Sequence, residues 1–423
     1  MYAWTKNDWM STRRSNTSDA LATAYEEGLT GFAVSKRVGK SITLQGGGTF
    51  TEFVSCSYLG LETHPELIKA ARHAMESAGL HLSSSRSAMH PTYLPELEDL
   101  LSQIYKGCGV AVFTSTSSVH LGVLPLLGSG SLSRYPVKTR VHWLMDKTAH
   151  ASMQVLRGIL QQFGCVSRVE AANPESLASA LKECTDKGET PILLIDGIGS
   201  MSGLVPIHEL SRQLESALGY LYVDDAHGIS IVGRHGAGYA YSAVDHSLPA
   251  NVILAGSLSK AFGGAGGFVV VSNPRDLEAI QTLANPLIFG HSIMLPMLAA
   301  NVAAAKIHLS EEIDVLQRRL WKNVNLLDFF TSNCLLNAGI QSPVRGAFFD
   351  TENAGLQAAR ILRDQGILLF PVFYPIIAKG KAMLRFAVSA NHSDRDIKLL
   401  GSALQGIKSE GLWTPSRHDL DHT

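Results

Sequence analysis

The chain is short of cysteine, of aromatic residues and of charge. Its five cysteines (Cys56, Cys108, Cys165, Cys184, Cys334) are scattered over 423 residues, and no two form a Cys-x-x-Cys pair. An odd, dispersed set suggests neither a zinc site nor a disulfide framework, and it suits a reducing cytoplasm. Charged residues make up 17% of the chain and leave a formal net charge of −1. No global field therefore draws it to nucleic acid or to an anionic membrane. No apolar run reaches the roughly 20 residues of a membrane span. The opening stretch, Met1-Tyr2-Ala3-Trp4-Thr5-Lys6, lacks the basic-then-apolar order of a secretory signal. Internal repeats and low-complexity tracts are missing as well.

Hydrophobic residues are plentiful, at 45%, enough for a large core and two or three domains. Residues 1–55 read as an N-terminal arm and an extended segment, with a hairpin turn at Gly46-Gly47-Gly48. Residues 56–290 read as a large α/β domain. Residues 291–423 read as one long bridging helix, about 297–327, and a small C-terminal α/β domain. Within the large domain His64-Pro65 opens an amphipathic helix carrying Leu67, Ile68, Ala71 and Met75 at helical spacing. Beyond it, apolar strands near 110–113, 142–145, 192–195, 220–223, 252–255 and 268–271 alternate with helices near 94–104, 151–163 and 208–218. That alternation predicts a mostly parallel sheet covered on both faces.

Two strand ends carry the chemistry. The strand Val252-Ile253-Leu254-Ala255 runs into Ser257-Leu258-Ser259-Lys260-Ala261-Phe262-Gly263-Gly264. A lysine beside a buried strand is costly unless it caps, pairs with an acid, or reacts. The reactive option is a Schiff base with an aldehyde cofactor. A nucleotide-binding loop is excluded, because Gly256 to Lys260 lacks the Gly-x4-Gly-Lys-(Ser/Thr) spacing. Upstream, Tyr220-Leu221-Tyr222-Val223 ends in Asp224-Asp225-Ala226-His227-Gly228. Carboxylates at strand ends are where an open α/β sheet presents ligand groups. Pyridoxal phosphate needs one beside its pyridine nitrogen and a lysine at its aldehyde. Alternation along the strand turns Asp224 and Asp225 to opposite sides. The strand near 110–113 leads into Thr114-Ser115-Thr116-Ser117-Ser118 and an apolar helix. Ser115 and Thr116 there serve either as phosphate donors or as an ordinary helix cap.

Six segments, in order, resemble the α-oxoamine synthases, a branch of the fold-type-I pyridoxal-phosphate enzymes. They are Ser57 to Pro65, Asp146 to Ser152, Asp196 to Gly203, Val223 to Gly228, Ser257 to Lys260, and Leu384-Arg385-Phe386 with Asn391-His392-Ser393. The resemblance implies a decarboxylating condensation of an amino acid with an acyl thioester of CoA or of a carrier protein. It also implies homodimers with shared active sites. Lys260 would anchor pyridoxal 5′-phosphate and move the substrate α-proton. Asp224 would face the pyridine nitrogen, His227 the phenolic oxygen, and His150 would stack on the ring. Ser115, Thr116 and Ser257 would serve the phosphate, with Ser200 close to the cofactor. Arg385 would clamp the substrate carboxylate.

Departures from the family pattern gather around substrate. Cys56, before Ser57, stands where the family has an asparagine that helps hold the amino-acid carboxylate. His81-Leu82-Ser83-Ser84-Ser85-Arg86 replaces a glycine-rich segment near the thioester. His291 stands where a family threonine reaches the neighbouring subunit's phosphate; it either replaces that contact or packs at an interface. An altered substrate pair is the expectation. The alternatives are an aminotransferase needing no thioester, and a relative kept for binding alone.

Overall fold

The structure, a computed structural model, describes residues 19–199, 203–374 and 376–413. The chain divides into two compact units. A small unit combines Met1–Ser55 with Leu320–Thr423, and a large unit spans Cys56–Arg319.

The small unit begins with three antiparallel strands, β1 (Val34–Val38), β2 (Ser41–Leu44) and β3 (Thr49–Glu52). The turn between β2 and β3 passes through Gly47 and Gly48, whose φ values of 94° and 83° suit glycine.

The large unit carries β4 (Gly109–Phe113), β5 (Val141–Asp146), β6 (Gly164–Val169), β7 (Thr190–Asp196), β8 (Tyr220–Asp224), β9 (Val252–Ser257) and β10 (Gly267–Val271). They form one sheet in the order β4-β10-β9-β8-β7-β5-β6. Strands β9, β8, β7, β5 and β6 run parallel, and β10 is antiparallel to both its neighbours. Strands β5, β7, β8, β9 and β10 are buried along their whole length, as a sheet covered on two faces requires. The helix Thr116–Gly128 lies close against the sheet: a Cβ on Gly122 would come within 2.8 Å of Phe113, and one on Gly128 within 2.7 Å of Trp143.

The expected bridging helix is two helices, Leu295–His308 and Glu312–Phe330. Ser310 separates them, its hydroxyl accepting the Glu312 amide at 3.2 Å as a new helix start. Residues 291–319 group with the large unit, where Leu295–His308 packs on Pro65–Ala78 and Tyr93–Ile104. The expected helix over 151–163 is two short helical segments, Ala151–Gln154 and Arg157–Leu160.

After Leu320 the small unit resumes with β11 (Val344–Phe349), β12 (Ile367–Leu368), β13 (Phe370–Val372) and β14 (Ala382–Ala387). β12 joins β3 in parallel, while β11, β14 and β13 form a second sheet. His392 sits buried between these pieces. Its ring stacks on Phe53 at 4.0 Å, Nδ1 accepts the Ser389 amide, and Nε2 donates to the Glu52 carbonyl. Burial, aided by the Lys40 charge, pushes its pKa down from 6.5 to about 4. A neutral native imidazole contributes fully above the unfolded value of 6.5, and the contribution is lost as pH falls towards 4. A gap of this size is on the order of 3 kcal/mol. His392→Gln is therefore expected to gain stability on the wild type by that order between pH 6.5 and pH 4, measured by urea unfolding at each pH. A stability difference that stays constant over that range would contradict the neutral, buried ring.

Candidate active site

The parallel strands bring their carboxyl ends to one edge of the sheet, where open α/β folds bind ligands. Asp146, Asp196, Asp224 and Ser257 are the last residues of β5, β7, β8 and β9, and β4 delivers Ser115 and Thr116 just beyond its own end. The segments bearing His150, His227 and Lys260 follow directly. Apart from Ser200, which lies outside the described residues, and Arg385, the expected site residues all belong to the large unit.

Asp224 is almost fully buried. Its Oδ2 accepts from His120 Nε2 at 3.1 Å, and its Oδ1 accepts the Ala226 amide at 3.0 Å. Burial alone would raise its pKa. The bond to His120, the charges of His120 and Lys260, and the Ala226 amide outweigh burial and hold it below the usual carboxylate value. Its partner in register on β7 is Asp196, which accepts the His150 amide at 3.2 Å. Burial, reinforced by the charge on Asp224, pushes Asp196 well above the usual range. Burial and mutual repulsion thus split the pair, favouring the ionised form at Asp224 and the protonated form at Asp196.

Asp225 points away, as alternation predicts, into a pocket closed by glycines. A Cβ on Gly197, Gly228 or Gly238 would come within 2.5, 2.1 or 2.5 Å of its carboxylate. It accepts the Ala240 amide at 2.9 Å, and burial pushes its pKa up to about 8. Asp225 is therefore protonated near neutrality and adds little charge beside Asp224.

His227 is buried, with Nδ1 2.7 Å from the Tyr58 hydroxyl. Tyr58 thus fixes the ring. His150 caps the segment Ala151–Gln154, its Nδ1 accepting the Ser152 amide and lying 2.7 Å from the Ser152 hydroxyl. The residue is exposed, but desolvation within the unit holds its imidazole below the ordinary range. The charges of Lys260 and His120 add to this, against the pull of Asp224.

Lys260 rides on a tight loop between β9 and β10. Leu258 donates to the Gly266 carbonyl, Gly264 to the Leu258 carbonyl and Gly263 to the Lys260 carbonyl. The loop is clamped by Asn301, fully buried in Leu295–His308. Its Oδ1 accepts the Ala265 amide at 3.2 Å, and its Nδ2 donates to the Ala265 carbonyl at 2.8 Å. Gly263 adopts φ 88° and leaves no room for a Cβ, which would meet Leu61 at 2.4 Å. Asn301→Ala should leave the fold intact and lower kcat about 10–100-fold by loosening the lysine. It should also shift the pH midpoint of the cofactor's visible absorption. A variant with wild-type kcat and spectrum would remove Asn301 from this role.

The helix Thr116–Gly128 starts beside this loop. Ser115 caps it by accepting the Ser118 amide at 3.1 Å, and Thr116 donates to the Gly256 carbonyl at 3.3 Å. A Cβ on Gly267 would lie 2.5 Å from the Thr116 nitrogen, so only glycine lets β10 approach this turn. The cap and the phosphate cradle are therefore compatible readings of one turn. Ser257 is buried and 3.1 Å from the Ser259 hydroxyl.

The remaining candidates are placed differently. Arg86 spans to Val112, donating to its carbonyl at 2.7 Å, and to Glu98 at 3.1 Å, which also accepts the Val112 amide. Its guanidinium thus braces the start of the sheet. His291 forms a β-bridge with Ser85 and lines a small pocket with His81, Ser83, Ser84 and Met89. Ser83 takes φ 53°, a conformation that a glycine there would adopt without strain. Cys56 is partly buried and Ser57 buried, both at the start of the large unit. Arg385 is buried on β14 of the small unit, in register with Gly346 and Phe370.

His120, Tyr58 and Asn301 were not singled out from sequence. His120 had a signal: one polar residue on an apolar helix face, opposite Tyr222 and Asp224, which share a face of β8. Its Nδ1 lies 2.8 Å from the Tyr222 hydroxyl.

Pyridoxal phosphate fits this donor set: an ionised buried carboxylate, a lysine on a rigid loop, and a helix start that only glycine can approach. The profile "Aminotransferase class I and II" matches residues 50–404. An 8-amino-7-oxononanoate synthase of Marinomonas sp. is 30% identical over 387 residues, covering 88% of this chain and 89% of its own. A serine palmitoyltransferase of Caulobacter vibrioides is 29% identical over 347 residues, 81% of each chain. The solved serine palmitoyltransferase of Sphingomonas wittichii superposes with a TM-score of 0.82 at 20% identity, over 98% of this chain and 100% of its own. The chain therefore belongs to the aminotransferase class I and II family, in its α-oxoamine synthase branch, whose cofactor is pyridoxal 5′-phosphate.

Proposed function

We propose that this chain condenses an amino acid with an acyl thioester, with loss of carbon dioxide, to give an α-amino ketone in a biosynthetic pathway. The observation that carries the reading is Asp224, held ionised by His120 on one strand end while Lys260 is presented from the next. When bound through Lys260, pyridoxal phosphate supplies an electron sink for the carbanion at the amino acid's α-carbon. Asp224 would keep the proton on the pyridine nitrogen, and His120 keeps Asp224 charged. His227, fixed by Tyr58, is assigned to the phenolic oxygen. Ser115, Thr116 and Ser257 are assigned to the phosphate. His150 is assigned to the ring face and the substrate carboxylate. Lys260 Nζ would take the α-proton and, once the new bond has formed and carbon dioxide has left, return a proton to that carbon.

The same reading makes the working form a homodimer. Phe289 is 80% exposed, and Leu80, Met89 and Met294 are exposed too. The Ser85–His291 bridge and the bond from the Leu295 amide to the Leu80 carbonyl hold their segments together. Ile68 and Met75, expected on the inward stripe of their helix, are also exposed. Apolar side chains brought out in this way suit burial against a second copy. Among the described residues, no helix is long and apolar enough to cross a membrane.

The test is a thiol-release screen of amino acids against CoA and carrier-protein thioesters, with products weighed by mass spectrometry. Free thiol and carbon dioxide released in equal amounts, with an α-amino ketone, are expected. Keto acid formed from an amino acid alone, with every thioester intact, would replace this reading with an aminotransferase.

A further inference from the structure

The opposite edge of the large sheet holds a second cluster that the chemistry above does not use. His142 and Cys165 are partners in register on β5 and β6, near the amino ends of these strands, and Glu189 directly precedes β7. Asp146, at the cofactor edge, lies four residues further along β5, about 13 Å away at roughly 3.3 Å per residue. A ring nitrogen of His142, Cys165 Sγ and a Glu189 carboxylate oxygen all lie within 4.8 Å of one another. His142 Nδ1 is 2.8 Å and Cys165 Sγ 3.6 Å from Glu189 Oε2.

We propose that His142, Cys165 and Glu189 form a binding site for a thiophilic divalent cation of the zinc type, with solvent as the fourth ligand. The donor set of one imidazole, one thiolate and one carboxylate is what zinc accepts, and it disfavours magnesium or calcium. Four-coordinate zinc, with bonds of about 2.0–2.3 Å, sets its donors about 3.3–3.8 Å apart. The His142–Glu189 contact must therefore open by about half an ångström, which side-chain rotation supplies. The site is preorganised in two ways. Its ligands stand on β5, on β6 and immediately before β7, and the other ring nitrogen of His142, Nε2, lies 2.8 Å from the Ser167 hydroxyl. A partner of that kind orients a metal-binding imidazole. Arg140 pairs with Glu189 through Oε1, the other carboxylate oxygen, and its side chain is 61% exposed. It neutralises the carboxylate when no cation is bound and can turn into solvent when one arrives. The consequence is a staple across β5, β6 and β7, separate from the condensation chemistry and independent of its substrates.

The test is a cobalt(II) titration of the tag-free holoenzyme. One equivalent should produce the visible ligand-field bands of a four-coordinate ion, displaceable by zinc. Cys165→Ala should lose the bands while keeping cofactor absorption and condensation rate. Zinc should also slow alkylation of Cys165, followed by peptide mass spectrometry, at least tenfold. Bands that persist in Cys165→Ala, no bands with cobalt in excess, or alkylation indifferent to zinc would each overturn the site.

Discussion

Lys260→Ala is expected to lose condensation activity by about 10³-fold or more, at the upper end of the roughly 10²–10⁴-fold that a positioned proton-transfer group supplies. On the proposed reading two tasks disappear together: the covalent hold on the cofactor and the movement of the α-proton. The loop around position 260 is kept by backbone hydrogen bonds and by Asn301, neither of which needs the lysine side chain. The variant should therefore fold, bind the cofactor more weakly, and lack the visible absorption of the lysine-bound form. Added primary amines should restore part of the rate. Thiol release that continues undiminished in this variant would refute the role of Lys260, whatever the fold implies.

Asp328→Ala is expected to destabilise the small unit strongly, by about 3–5 kcal/mol. Arg345 is fully buried and meets both Asp328 oxygens, Nε to Oδ1 and Nη2 to Oδ2, each at 2.7 Å. It also donates to the Ser342 and Val344 carbonyls, and Asp328 accepts the Gly339 amide. Removing the acid strands a guanidinium that has no route to water. Replacing both partners, as in Asp328→Leu with Arg345→Met, removes the stranded charge and should recover most of the loss. Urea unfolding of the three proteins checks this. A single variant within 1 kcal/mol of wild type would show that the pair contributes little.

Much of the fold and of the site is legible in the sequence. The buried strands are visible because a sheet covered on both faces needs unbroken apolar runs, and Leu193 to Ile195 and Val252 to Ala255 are such runs. Asp224, His227 and Lys260 are visible because a charged or titratable side chain beside a buried strand is costly to keep unless pairing or chemistry uses it. β6 was missed: Gly164-Cys165-Val166-Ser167-Arg168-Val169 lies at the sheet edge, is mostly half-buried, and so carries a mixed pattern. The single long helix was wrong because one serine hydroxyl, Ser310, can restart a helix without breaking its apolar spacing. The roles of Asn301 and of Tyr58, which lies within the Ser57–Pro65 segment, are not legible in the sequence. Their roles depend on which distant loop each side chain meets, and spacing along the chain does not report that.

The small unit is assembled from the two ends of the described chain, and this has a consequence for synthesis. β3 finds its parallel neighbour β12 only when Ile367 meets Thr51, more than three hundred residues later. At about 5–20 residues per second, a ribosome leaves the first hairpin waiting roughly 15–60 s for that partner. During that time the large unit, continuous in sequence, can emerge and fold first. The waiting strands present two open edges to other nascent chains: on β1 the exposed Lys36, with Arg37 beside it, supplies charge that discourages such pairing, while the β3 edge stays open until β12 covers it.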